Sequence, residues 1–139
     1  MCSLGNVTPG QARNFDRNHG YLHGEDYARV LRESNIFVYP SFYDGFPAPP
    51  LQAMASGAAV VTTAVEGGSA YAVHEENVLL CPPGDGETLK TQVIRLITDA
   101  ELRWKLMSNG PKMAQQHSVE RHAQELLEFL KIVGSEKGL

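Results

Sequence analysis

The chain has 139 residues, 42% of them apolar, and a formal net charge of −4 at pH 7. A domain of this size buries roughly two thirds of its unfolded surface, and no apolar run approaches the ~18 residues that a membrane-spanning helix needs. Lys and Arg are spread thinly, with no cluster denser than Arg13/Arg17 or Arg103/Lys105, so the face of phosphate-neutralising side chains that non-specific nucleic-acid binding requires is missing.

Residues 1–19 are polar, broken by Pro9 and Gly10, and lack periodicity. With no basic residue before Arg13 and no apolar core segment they do not read as a secretory signal; a leader of uncertain structure, a disordered tail or a remnant of something removed is expected. Tyr21, Leu22, His23 and Gly24 predict a very short extended piece. Tyr27, Val30 and Leu31 recur at helical spacing within 25–32. Ile36, Phe37, Val38 and Tyr39 are consecutive β-formers that stop at Pro40, which predicts a buried strand. A helix is expected over 49–56, with proline tolerated in its first turn and Gly57 at its C-cap. Residues 58–63 predict a second strand, Gly67 and Gly68 a turn, 69–73 a short helix, and 77–81 a third strand stopped by Pro82, Pro83, Gly84 and Asp85.

Strand, loop and helix alternating at this spacing predict βα units and a parallel sheet. Right-handed crossovers then place helices on both faces, giving an α/β, three-layer, Rossmann-like architecture. The remainder predicts helices over 87–98, 99–108 and 118–133, all packed on the sheet, with Ser118 placed to cap the last. Trp104, among Leu102, Leu106 and Met107, reads as a core or interface anchor. Cys2 and Cys81 form neither a disulfide framework nor a metal site. Both read as reduced thiols of a cytosolic setting, with Cys81 a buried small hydrophobe. His19 and His23 are interrupted by Gly20 and Gly24 and lack a third ligand. His117 and His122 read as surface residues of the terminal helical region.

Residues 35–57 carry the densest signal. In an open parallel sheet, ligands bind beyond the carboxyl ends of the strands, which is where the loop holding Asp44, Gly45 and Phe46 would lie. The start of the following helix offers backbone N–H groups and a positive end suited to a diphosphate. Pro47, Pro49 and Pro50 remove three of those donors, leaving mainly Gly45, Phe46, Ala48 and Leu51. Taken alone, Asp44 is also an ordinary turn residue, Gln52 a surface residue, and Gly67 and Gly68 turn glycines. Ser41 is a loop hydrogen-bonder with no Ser/His/Asp constellation around it.

The motifs running Ser34 to Ser41, Asp44 to Pro47 with Leu51 to Gly57, Val60 to Thr63 with Gly67 and Gly68, and Glu76 to Leu80 with Pro82 to Asp85 together resemble one family. It is the nucleotide-sugar-dependent glycosyltransferases called glycosyl transferases group 1, retaining enzymes with two Rossmann-like domains facing a cleft in the GT-B arrangement. The resemblance implies that residues 20–133 are part of the C-terminal, donor-binding domain, between a leader at 1–19 and a tail at 134–139. It implies a catalytic position at Asp44, facing a hydroxyl of the donor sugar. It places donor-binding positions at Ser41, Gly45, Phe46, Pro47, Leu51, Gly67 and Gly68, with Gln52 on the ribose hydroxyls. No metal and no cofactor is implied beyond a UDP- or GDP-linked sugar as the donor substrate.

The family usually has glutamate where this chain has Asp44 and Gln52. Asp keeps the charge on a shorter stem; Gln keeps the length but loses charge-assisted strength on the order of a kcal/mol or two. The family's opening strand and helix with their basic residue, its second strand and its acceptor-binding domain have no counterpart, so the sheet is expected to be incomplete. The chain looks like the last third of an enzyme, inactive in isolation. In the strand order 3-2-1-4-5-6 the Ile36 strand would pair with the missing first strand, and its open edge is expected to be covered by Tyr21–Leu22, by the leader or by a second copy in a homo-oligomer. Other functional readings are a non-catalytic nucleotide-binding remnant and an oligomerisation or interaction module. The partners implied are a nucleotide sugar and a missing acceptor domain or other chain, with no nucleic acid. The location implied is cytoplasmic, with peripheral contact at the inner membrane face open for the full-length enzyme.

Overall fold

The structure, a computed structural model, describes residues 2–3 and 15–137. Its centre is a three-stranded parallel sheet of β3 (Ile36–Tyr39), β4 (Ala59–Thr63) and β5 (Leu79–Cys81), in that spatial order. Ile36 is opposite Ala59, and Val61 opposite Leu79. All three strands lie where the apolar runs place them. Two further strands, β1 (Cys2–Ser3) and β2 (Arg17–Asn18), pair in parallel as a separate two-stranded sheet.

The period-two alternation of the strands sorts side chains onto two faces. Phe37, Val60, Val78 and Leu80 pack with Tyr27 and Leu31 of α1 (Gly24–Arg32) and with Leu51, Ala53 and Met54 of α2 (Ala48–Ala55). Ile36, Ala59, Val61 and Leu79 pack with Leu89, Val93 and Leu96 of α3 (Gly86–Thr98) and with Leu102, Leu106 and Met107 of α4 (Ala100–Gln115). The result is three layers. Cys81 is buried at the end of β5, its thiol directed at the Thr62 carbonyl. Asp85 caps α3 by accepting from the Thr88 N–H and hydroxyl, and Asp99 caps α4 through the Leu102 N–H. α2 ends as expected, with Gly57 at a φ of +86° that favours glycine.

Several expectations fail. The turn at Gly67 and Gly68 is itself a 3₁₀ helix (Glu66–Ala70), and the short helix expected over 69–73 does not follow it. Tyr21 and Leu22 form no strand. α4 runs through Gly110 and Pro111 well beyond 108, and Gly110 lies against Met54 of α2, 3.2 Å from where a Cβ would be. Of the two readings of Trp104, the core one fails, since it is 64% exposed: Leu102 and Leu106 point to the core, and two residues from either is the far side of a helix. α5 (Val119–Lys137) begins where Ser118 accepts from the Arg121 N–H, but it does not bury its apolar side on the sheet. Val119, Leu126, Leu127, Phe129, Leu130 and Ile132 are all more than half exposed. Among the described residues no strand pairs with the outer edge of β3; residues 2–3 and 17–18 of the expected leader pair with each other instead.

Candidate functional site at the carboxyl end of the sheet

The loop leaving β3 is held from below by β4. Thr62 donates its hydroxyl to the Tyr39 carbonyl at 3.0 Å, and Thr63 donates to the Ser41 carbonyl at 2.6 Å. Ser41 in turn donates to the Tyr43 carbonyl at 2.9 Å, a local turn bond of the kind serine favours. Ser41 therefore shapes the loop.

Both oxygens of Asp44 already have partners. Oδ2 accepts from the Tyr39 hydroxyl and Oδ1 from the Phe46 N–H, each at 3.0 Å. One of the four N–H groups expected to face a ligand is thereby used inside the loop. A carboxylate has about four lone-pair sites, so Asp44 keeps acceptor capacity for a further donor while it fixes the turn. The Tyr39 phenol is pushed above its ordinary range by burial first and by the Asp44 carboxylate second. It stays a neutral donor.

A second tyrosine holds the other end of the loop. Tyr71, at the end of the 3₁₀ helix, is 1% exposed and donates its hydroxyl to the Pro47 carbonyl at 2.6 Å. Burial first, and then the Asp44 carboxylate, raise its ionisation well above the usual phenol range. Its own carbonyl accepts from the buried Asn77 amide, whose oxygen takes the Val73 N–H. The ring of Phe46 meets Tyr71 edge-on at 5.8 Å. The ring of His117, from the α4–α5 junction, lies 6.3 Å from Phe46 and 6.1 Å from Tyr71, and that of His122 in α5 is 5.8 Å from His117.

The structure gathers the predicted residues around one loop but separates their roles. Pro47, Leu51 and Gly68 are buried, so Leu51 serves the core with its side chain and Pro47 presents its carbonyl to Tyr71. Gly45, Phe46 and Gln52 are exposed, and Ser41, Asp44 and Gly67 are half-buried. A Cβ on Gly67 would stand 2.1 Å from the Gly45 carbonyl oxygen, and one on Gly68 3.6 Å from the Pro47 ring. Gly67 is therefore required by the approach of two backbone segments. A cleft of about 240 Å³ lies beside the site, lined by Thr63, Val65, Gly68, Ala72 and others. A roomier cavity, about 530 Å³, lies elsewhere, between Arg17–His19 and α1, and no predicted site residue lines it. Among the described residues no cluster of His, Cys, Asp or Glu could hold a metal ion, and no helix is long and apolar enough to cross a membrane.

Tyr39, Tyr71 and His117 were not expected at the site. Tyr39 was legible only as the last residue of a strand. Nothing local marks Tyr71 or His117, because their contacts are made across the fold.

Residues 10–99 match the family described as glycosyl transferases group 1. The chain is 29% identical over 127 residues to the O-antigen chain mannosyltransferase B of Escherichia coli, an alignment covering 91% of this chain and 33% of that protein. Among solved structures it resembles the C-terminal domain of a glycosyl transferase group 1 family protein, LpcC, of Francisella tularensis, with a TM-score of 0.66, 28% identity, and coverage of 77% of this chain and 55% of that one. It also superposes on HepE of Anabaena in complex with UDP with a TM-score of 0.82 at 20% identity, covering 94% of this chain and 40% of that one. The chain thus spans about a third or less of the length of the curated relatives it matches, and its sheet is short against the GT-B structures it resembles. The family match extends over most of the residues that build the sheet and the whole of the loop around Asp44, and the chain belongs to the glycosyl transferases group 1.

Proposed function

We propose that this chain is the donor-binding portion of a retaining glycosyltransferase that takes a sugar from a UDP- or GDP-linked donor. The observation that carries the reading is the family match across 10–99, together with the loop 41–47 at the carboxyl end of β3, where a parallel sheet offers its ligand crevice. In this reading Asp44 accepts a hydroxyl of the donor sugar with the lone pairs that Tyr39 and Phe46 leave free. Gln52, exposed on α2, contacts the ribose, and the N–H groups of Gly45 and Ala48 face the diphosphate. Ser41, Pro47, Leu51, Gly67 and Gly68 shape the crevice.

By itself the chain is inactive in this proposal. Catalysis of a two-substrate transfer rests on holding both reactants in one closed site, and a chain a third the length of its relatives supplies one wall. The acceptor-binding part completes the cleft, and the exposed apolar side of α5 gives it a surface to cover. A second copy of the chain pairs with the free edge of β3, where Val38 is exposed. A dimer in light scattering is expected, and a monomer refutes that pairing.

Because HepE has been solved with UDP and with UDP-glucose, UDP is the first ligand to test. Titration with UDP, GDP and their sugar conjugates is expected to move the amide resonances of residues 41–52, with weak affinity. Shifts confined to Trp104 and α5 would remove the donor-site assignment and leave an interaction module. Donor binding with residues 41–52 affected, but no transfer even after the acceptor-binding part is supplied, would favour a nucleotide-binding remnant, a reading supported by the loss of charge at Gln52.

A further inference from the structure

We propose that the His117–His122 imidazole pair is a pH-sensitive anion contact of the loop site, taking the diphosphate of the donor in its protonated form. The inference rests on the donor-binding reading above and adds two residues and a pH dependence to it.

The first observation is position. His117 belongs to the helical junction after α4, yet its half-buried ring is set against Phe46 in the loop and Tyr71 beneath it. Aromatic packing alone would be served as well by an apolar ring, which carries no polar nitrogens to desolvate. A second imidazole, His122, stands 5.8 Å from the first on the solvent side. The pair runs from the buried floor of the loop to open water.

The second observation is charge. A diphosphate diester brings two negative charges to a loop that already holds the Asp44 carboxylate. The N–H groups at the start of α2 are depleted by Pro49 and Pro50, and the Phe46 N–H is held by Asp44. A cationic side chain beside the loop would offset that charge. Imidazole is the side chain that changes charge between about pH 5 and 8, so a pair of them beside the loop is suited to supply that charge. The groups that face the pair are the neutral phenol of Tyr71, with Asp44 behind it, and Glu125 on α5. Glu125 is held below its usual range first by Arg121 and further by His122 and His117. One carboxylate already shared with an arginine leaves the protonated pair with unsatisfied positive charge, which a phosphate group can meet with charge-assisted hydrogen bonds.

The test uses UDP-glucose, whose diphosphate diester has no ionisation of its own in this range, titrated into the full chain by calorimetry at about pH 5.5 and about pH 8. Affinity is expected to be about tenfold tighter at the lower pH, one charged contact's worth. His117→Phe keeps a ring in the aromatic cluster and should unfold thermally like the parent while losing the pH dependence; His122→Gln should reduce it. Uridine, which has no diphosphate, should bind equally at both pH values. Flat binding of UDP-glucose across pH overturns the inference and leaves the donor site standing. So does a His117→Phe chain that retains the dependence, or a uridine response that matches it. No binding of UDP-glucose at either pH overturns both.

Discussion

The carbonyl oxygen of Gly45 and the position a Cβ would take on Gly67 are 2.1 Å apart, with the Gly45 carbonyl carbon at 2.3 Å and the Asp44 carbonyl oxygen at 2.6 Å. No side-chain rotation relieves a clash with backbone atoms, so the loop and the 3₁₀ helix approach as closely as they do because residue 67 has no side chain. Gly67→Ala is expected to destabilise the fold by about 1–3 kcal/mol, as overpacking does, and to shift the loop carrying Asp44. Gly68→Ala, whose nearest neighbours would be ordinary contacts at 3.6 and 3.8 Å, should be neutral or stabilising by up to about 1 kcal/mol. Urea midpoints of the two variants separate these outcomes, and equal losses would mean that the loop yields.

Tyr39→Phe removes the hydroxyl that holds Asp44 Oδ2. A cost of about 0.5–1.5 kcal/mol in stability is expected, together with broadened amide resonances for residues 43–47 as the carboxylate loses one of its two anchors. A variant as stable and as sharp in its spectrum as the parent would show that the Phe46 N–H alone suffices.

Alkaline pH should unfold the chain through its tyrosines. Tyr71 and Tyr39 are both raised by burial above the ordinary phenol range, so above about pH 10 the unfolded chain loses these protons while the folded chain keeps them. Stability is then full below pH ~10 and falls as pH rises further, because the unfolded state binds fewer protons. Tyr71→Phe should start from lower stability, having lost the bond to Pro47, yet show a shallower alkaline decline. Parallel declines for parent and variant would place the cause elsewhere.

Removal of residues 119–139 should leave the sheet and its two cores intact. The apolar side of α5 is exposed and its N-terminal turn meets the body through His122 on His117, so the change in unfolding free energy is expected to stay within about 0.5 kcal/mol, as for other surface changes. Binding of an apolar fluorescent dye should fall sharply in the shortened chain. A large loss of stability would mean that α5 packs on the body in solution.

The three strands and most helices were legible because each is written locally: apolar runs that stop at proline or glycine, and stripes at steps of three and four. The length of α4 was not. The helix was expected to stop at 108, whereas it continues through Gly110, whose lack of a side chain suits the crossing with Met54, a contact that no window of sequence contains. Trp104 was legible in principle, since its helical phase against Leu102 and Leu106 points it outward, but composition suggested otherwise. The stripe of α5 was read correctly as a stripe; periodicity identifies a face without naming what covers it. At the site, the residue types and order pointed to the loop around Asp44, while Tyr39, Tyr71 and His117 arrive there through tertiary packing.

Cys81 gives the sheet a built-in clock. Its thiol is 2% exposed, buried beyond the reach of an alkylating reagent at the end of the strand that closes one side of the sheet, and burial first and Asp85 second hold it in the unreactive protonated form. In a Cys2→Ser background the rate at which a thiol reagent labels the chain therefore counts openings of β5 away from β4, and a ligand that tightens the carboxyl end of the sheet slows the count without having to touch the sulfur.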